Sequence, residues 1–374
     1  MLARSEIRPV PSAGDHTTWS RNNRLPRSCG RVPRQLRRPL AALPAESGSA
    51  RSTAPHAPHA QSIARSPAEP LAFSVRSREH ALAAQLLLPS DGRPPRAAVV
   101  FVHGYAEHSG RKLPALRALA DAAGAAVAAV DLHGHGRSEP RDGALRGVVR
   151  SYAHVVDDAL ALAAALRDPG GPAGGGGGGA QLGGLPFFIG GYSMGACAAL
   201  HAALRAAGTP QAFAGCFLVS PALGLREPQN VVEQAQLWAG EWLNSNFPLW
   251  RAVAELDAAA LNPEPGYAAD YGSDPLVVRG RIAVCTVHSI LTAAALIKAP
   301  EAVAALAPLP VHILSCAGDR VTPAADAAAF AAALRAAGGE AELEVVEGAL
   351  HDLLSGRDGP AHAERIAAFV ARRI

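Results

Sequence analysis

The sequence predicts an α/β fold, a mostly parallel central sheet flanked by helices. Apolar β-type runs alternate with Ala/Leu-rich helical runs from about Leu71, the rhythm of strands joined through crossover helices. A strand runs straight into a helix around residue 193, and after a long lapse the alternation resumes at Val311–Cys316. With 374 residues, 49 % of them apolar and 18 % charged, the chain has the material for one large core.

The first 66 residues stand apart from this pattern. They hold eleven Arg and no Lys against Glu6, Asp15 and Glu46, a charge of +8, so the rest of a chain of net charge +3 carries −5. Rich in Arg, Ser, Pro and Ala and without apolar periodicity, they read as a targeting segment. The expected destination is the chloroplast, with mitochondrion or cytoplasm as alternatives. A mildly acidic remainder, 67–374, argues against nucleic acid as a partner, because neutralising phosphates takes clustered Lys and Arg. The longest apolar stretch, 302–317, is interrupted by Pro308, Pro310 and His312 and reads as a helix end followed by a buried strand. A soluble or membrane-peripheral protein is therefore expected, and no obligate protein partner is inferred.

Along the domain, Ala97–Val102 is the first clear strand. Pro114 and Gly124 frame a helix that leads into a strand at 125–131. Tyr152–Arg167 reads as a helix ended by Asp168 and Pro169. Ten Gly among residues 170–184 then mark a flexible insertion, which lacks the Lys-Ser or Lys-Thr pair of a phosphate loop. A strand at 186–190 enters an Ala-rich helix that stops at Gly208, and another strand spans 213–220. The interval 223–298, with Trp238, Trp242 and Trp250, is the expected helical cap. Strand Ala341–Val346 and an amphipathic helix carrying Ile366, Phe369 and Val370 close the chain. Cys29, Cys197, Cys216, Cys285 and Cys316 form no CxxC pair, so reduced thiols outside any metal site are expected.

Gly191-Tyr192-Ser193-Met194-Gly195 matches G-x-S-x-G, the turn that exposes a serine between strand and helix. A serine hydroxyl attacks poorly until an imidazole takes its proton, and the imidazole needs a carboxylate to fix its tautomer. Asp319 follows strand Val311–Cys316 on a loop, whereas its rivals Asp326, Asp270 and Asp274 fall in a helix or the cap. His351 follows the last strand; His312 lies inside a strand, His362 at the start of the last helix and His288 in the cap. Ser193 as nucleophile, Asp319 as orienting acid and His351 as base keep the chain order of this motif. The N–H groups of Met194 and Tyr105, the latter in His103-Gly104-Tyr105, are the expected oxyanion donors. His133 and His135 lack a third ligand at metal spacing and read as part of a glycine-rich turn. No metal and no cofactor are expected, and Asp352 is read as structural.

Six blocks together resemble the monoacylglycerol lipase and lysophospholipase branch of the α/β-hydrolases, with its plant and algal caffeoylshikimate-esterase-like members. They are His103-Gly-Tyr-Ala-Glu-His-Ser-Gly-Arg111, Asp131-Leu-His-Gly-His-Gly-Arg-Ser138, His154-Val-Val-Asp157, Gly191-Tyr-Ser-Met-Gly195, Ser273-Asp-Pro-Leu-Val277 and Leu350-His-Asp-Leu-Leu354. The resemblance covers roughly residues 70–374. It implies the same triad and oxyanion donors, and a cap over an apolar acyl tunnel. Tyr192 and Ala196 depart from the His or Glu and the Gly usual at their positions. The expected substrate is a small lipid or ester, with peripheral membrane contact through the cap. Acyl transfer with the same triad, and a weakly catalytic ligand receptor, are the alternatives.

Overall fold

The computed structural model describes residues 69–141, 143–171, 182–224 and 231–374, and of 231–238 the backbone only. The basic first 66 residues, expected to be a targeting segment, Cys29, most of the glycine-rich insertion and the side chain of Trp238 lie outside the described residues.

Two strands that the sequence leaves without boundaries, β1 (Leu71–Ser77) and β2 (His80–Leu87), open the domain as an antiparallel hairpin. The next are β3 (Ala97–Val102), α1 (Leu113–Ala123), β4 (Ala125–Val130) and α2 (Tyr152–Arg167). They lead to β5 (Phe187–Tyr192), α3 (Met194–Ala206) and β6 (Gly215–Val219). The C-terminal part holds β9 (Val311–Cys316), α9 (Ala324–Ala336), β10 (Ala341–Val346) and α10 (Gly359–Ala371). The eight strands order as β1-β2-β4-β3-β5-β6-β9-β10, with β1/β2 and β2/β4 antiparallel and the other pairs parallel.

Strand periodicity sorts the core into two faces. Ala98, Val100 and Val102 of β3 pack with Val155 and Leu162 of α2 and with the Ala-rich side of α3. Ala97, Val99 and Phe101 pack with Leu116 and Leu119 of α1 and with Ile366 and Phe369 of α10. All six β3 residues are buried, as a central parallel strand covered on both sides requires. Gly124 ends α1 in the left-handed conformation at φ 60° and returns its N–H to the Ala120 carbonyl.

One boundary differs instructively from the sequence reading. The strand expected at 186–190 continues through Gly191 and Tyr192, because β3 and β6 flank it in register, Val102 opposite Gly191 and Tyr192 opposite Val219. Pairing on both sides outweighs the weak strand preference of glycine.

Between β6 and β9 the interval contains α4 (Val231–Asn246), β7 (Arg251–Val253), α5 (Ala258–Leu261), α6 (Tyr267–Ser273), β8 (Ile282–Ala283), α7 (Val284–Ile297) and α8 (Pro300–Leu306). Among the described residues no single helix is long and apolar enough to cross a membrane. The α7/α8 pair passes on length and composition but is bent by 67°. Its Ala293, Ile297, Val303 and Leu306 belong to the core. Trp242, Phe247 and Trp250 are more than half exposed, and with Leu243, Pro248 and Leu249 they line a shallow apolar cleft of about 650 Å³.

At the far side of the sheet, β10 pairs with β9 alone among the described residues. Its Glu342 is held by Arg372 at 2.7 Å and by Arg373 at 3.4 Å, and Glu344 by Arg365 at 3.4 Å. Cys197, Cys216, Cys285 and Cys316 are buried free thiols.

Candidate active site

The site lies beyond the carboxyl ends of the parallel strands. The chain leaves β3 for β4 on one side and leaves β5 for β6 on the other, so the loops after β3 and β5 diverge and leave a crevice between them. Ser193 sits there, between β5 and α3, at φ 55° and ψ −119°, a conformation that strains any residue with a Cβ. The turn is tight enough to demand both flanking glycines. A Cβ on Gly191 would lie 2.6 Å from the Val102 carbonyl, and one on Gly195 would collide with the carbonyls of Val102 and His103.

The structure brings the three sequence-predicted polar side chains into one line. His351 Nε2 stands 2.9 Å from Ser193 Oγ, and its Nδ1 stands 2.7 Å from Asp319 Oδ2. Asp319 Oδ1 accepts the N–H groups of Val321 (2.8 Å) and Thr322 (2.9 Å), and the Thr322 hydroxyl donates to Oδ2 at 2.9 Å. Burial pushes the Asp319 carboxyl up, but the His351 contact and the two N–H groups outweigh it and hold it below the usual carboxylate value. An ionised carboxylate at Nδ1 leaves Nε2 free to accept the serine proton.

Met194 begins α3, where the helix leaves its first N–H groups without partners and presents its positive dipole end. The Tyr152 hydroxyl donates to the Met194 carbonyl at 2.5 Å. The loop carrying Tyr105 lies against Ser193, for a Cβ on Gly104 would come within 3.3 Å of the serine Cβ. Leu132 N–H donates to His103 Nε2 at 2.9 Å, which puts the ring proton on Nδ1, 2.7 Å from the Gly104 carbonyl. Burial lowers the His103 pKa and keeps the ring neutral. The Gly104 carbonyl and the Tyr105 N–H share one planar peptide and point opposite ways, so anchoring the first aims the second. Glu107 Oε1 accepts the Gly104 N–H at 3.0 Å and pins the other side of that glycine. Burial pushes the Tyr105 phenol up to about 12, and its hydroxyl donates to the Gly147 carbonyl at 3.1 Å.

Two backbone N–H groups, a serine at a strained bend and a paired imidazole are the parts needed to attack a carbonyl and hold the resulting oxyanion. The family profile described as serine aminopeptidase, S33, matches residues 93–358, more than half of the chain. The chain belongs to this family. It is 32 % identical to human monoglyceride lipase over 199 residues, 53 % of this chain and 58 % of that protein. It is 28 % identical to the monoacylglycerol lipase of Mycolicibacterium smegmatis over 261 residues, 70 % of this chain and 83 % of that one. The chain thus spans under two thirds of the human relative and most of the bacterial one. A solved monoglyceride lipase from Saccharomyces cerevisiae superposes with a TM-score of 0.67 at 19 % identity, covering 81 % of this chain and 96 % of that one. At that identity the likeness concerns the fold.

In this serine α/β-hydrolase the rivals for the site residues are engaged elsewhere. Asp274 pairs with His108 at 2.9 Å and Arg111 at 3.2 Å. His312 faces Glu342, while Asp326, His362 and His288 lie on α9, α10 and α7. His133 Nδ1 meets Asp158 Oδ2 at 2.6 Å and His135 Nδ1 meets the His133 carbonyl at 2.9 Å, which ties both rings into their turn. Sequence reasoning missed Thr322, His103 and Glu107 as supports. His103 and Glu107 stand in the block 103–111 that carries the resemblance, whereas Thr322 left no signal.

Proposed function

We propose that this chain is a carboxylic ester hydrolase for lipid-like substrates, a monoacylglycerol lipase or lysophospholipase. Ser193 Oγ attacks the ester carbonyl while His351 takes its proton. Met194 and Tyr105 N–H groups receive the oxyanion, His351 returns the proton to the leaving alcohol, and water then releases the acyl group from Ser193. The observation that carries this reading is the continuous hydrogen-bonded line from Ser193 through His351 to Asp319 beside the free N–H end of α3.

Ester hydrolysis fits the surroundings better than aminopeptidase chemistry, which would need a carboxylate for the substrate ammonium. Glu107, Asp274, Asp319 and Asp352 are each already paired with a lysine, arginine or histidine. The relatives named as monoglyceride lipases favour a lipid ester. In this reading the interval 223–298 is the cap, and its exposed Trp242, Phe247, Leu249 and Trp250 meet a lipid surface.

The test pairs fluorophosphonate labelling with a substrate panel of monoacylglycerols, lysophosphatidylcholine, p-nitrophenyl esters and caffeoyl esters. Labelling and turnover should both vanish in Ser193→Ala, with kcat falling on the order of 10⁴-fold or more. Turnover of short soluble esters alone would overturn the lipid substrate. Ligand binding without turnover would overturn the enzyme, and transfer of acyl groups to added glycerol would replace hydrolysis with acyl transfer.

A further inference from the structure

Lys112 is fully buried, and an ammonium removed from water persists only where other groups replace its hydration. Its Nζ has three polar partners, Asp352 Oδ2 at 2.6 Å, Glu107 Oε2 at 2.8 Å and Ser355 Oγ at 2.9 Å. It also stands 4.5 Å from the centre of the Tyr192 ring. The two carboxylates belong to different loops, and each loop carries half of the candidate machinery. Glu107 uses its other oxygen to hold the Gly104 N–H, next to Tyr105. Asp352 follows His351 directly, and its Oδ1 accepts the N–H groups of Leu354 and Ser355 at 3.2 Å each. Tyr192, under the ammonium, places its ring 5.0 Å from that of His351.

The same junction reaches the interval above the sheet. Tyr267 OH donates to Asp352 Oδ2 at 2.7 Å, Asp352 N–H donates to the Leu261 carbonyl at 2.6 Å, and Asn262 Nδ2 donates to the Asp352 carbonyl at 2.9 Å. Two carboxylates share one buried ammonium, with Arg111, 5.4 Å from the centre of the Tyr267 ring, as a further cation nearby. Apolar side chains of similar volume would fill that space with less desolvation, so stability alone accounts poorly for the arrangement.

We propose that Lys112 is a positioning residue that, through Glu107 and Asp352, sets the distance between the oxyanion-loop N–H of Tyr105 and the imidazole of His351. The proposal rests on the esterase reading above. Both groups act on one tetrahedral centre, Tyr105 on its oxygen and His351 on its incoming and leaving protons. A displacement of about 1 Å between such groups lowers turnover on the order of 10²-fold.

The experiment measures p-nitrophenyl ester hydrolysis by the unaltered chain and by Lys112→Met, which keeps much of the side-chain length without the charge. Active sites are counted by fluorophosphonate titration carried to completion, so a loss of folded protein lowers the count and leaves kcat per site unchanged. The expected result is a fall in kcat per site of about 30- to 100-fold with KM within about threefold. If Lys112→Met fails to fold, Glu107→Gln is decisive. It keeps an oxygen for the Gly104 N–H while turning an amide toward the ammonium, and a fall of about tenfold in kcat per site is expected. Unchanged kcat per site in the variant that folds would overturn the proposal. No turnover by the unaltered chain would overturn the esterase reading instead.

Discussion

Ser193 stores backbone strain at the point where the hydroxyl is needed. Its φ of 55° is comfortable for glycine alone, and such strained residues give up about 1–3 kcal/mol. Replacing Ser193 with Gly should abolish turnover yet stabilise the fold by about 1 kcal/mol relative to Ser193→Ala, once the extra freedom of an unfolded glycine is subtracted. Thermal melts of the two inactive variants check this; a Gly variant melting at or below the Ala variant would refute the strain. Ser193, His351 and Asp319, which the structure joins in one hydrogen-bonded line, were legible because each sits just beyond a recognisable strand, in the order of a known motif. Thr322, His103 and Lys112 were not, since each acts through contacts set by the folded chain. Lys112 and Asp352 are 240 positions apart.

At the scale of elements, strands and helices that bury a regular face could be read directly, β3 and α2 to the residue. The β1–β2 hairpin was harder to read. Burial alternates along its two strands, but few of the outer strand's residues are fully buried, and its pairing is antiparallel where the rest of the pattern announced crossovers. The segment from α4 to β7 was legible only as an aromatic-rich lapse. It shows Trp242 at 60 %, Phe247 at 54 % and Trp250 at 56 % exposure, more large apolar surface than isolated exposed residues explain. Trp242→Ser combined with Trp250→Ser should weaken binding to phosphatidylcholine vesicles by roughly tenfold or more while leaving hydrolysis of a soluble ester unchanged. Co-sedimentation beside a soluble-ester assay measures both; equal vesicle binding would remove the patch from any lipid contact.

Across the whole molecule, the buried charges link stability to pH. Burial pushes the Asp352 carboxyl up, Lys112 and the Ser355 and Tyr267 hydroxyls pull it down, and the net value lies below the ordinary one. A carboxyl depressed on folding adds stability above its unfolded value of about 3.9, and that contribution is lost as pH falls through the folded value. Lys112→Met reverses the sign, because a buried carboxylate without its cation is raised. The variant should lose about 3–5 kcal/mol at neutral pH, and less in acid as the orphaned carboxyls take up protons. Urea midpoints of both proteins near pH 7.5 and pH 5 test this; a gap that stays constant would contradict it.

The outer edge of β10 invites comparison with the open end of a zipper. An unpaired row of backbone groups is a template on which a strand from another molecule can grow. Here Glu342 and Glu344 ring that template with negative charge, and Arg365, Arg372 and Arg373 clasp them from α10 and the residues after it. An approaching strand would meet these charges beside the edge, and charged side chains on an edge strand discourage edge-to-edge pairing in a crowded solution.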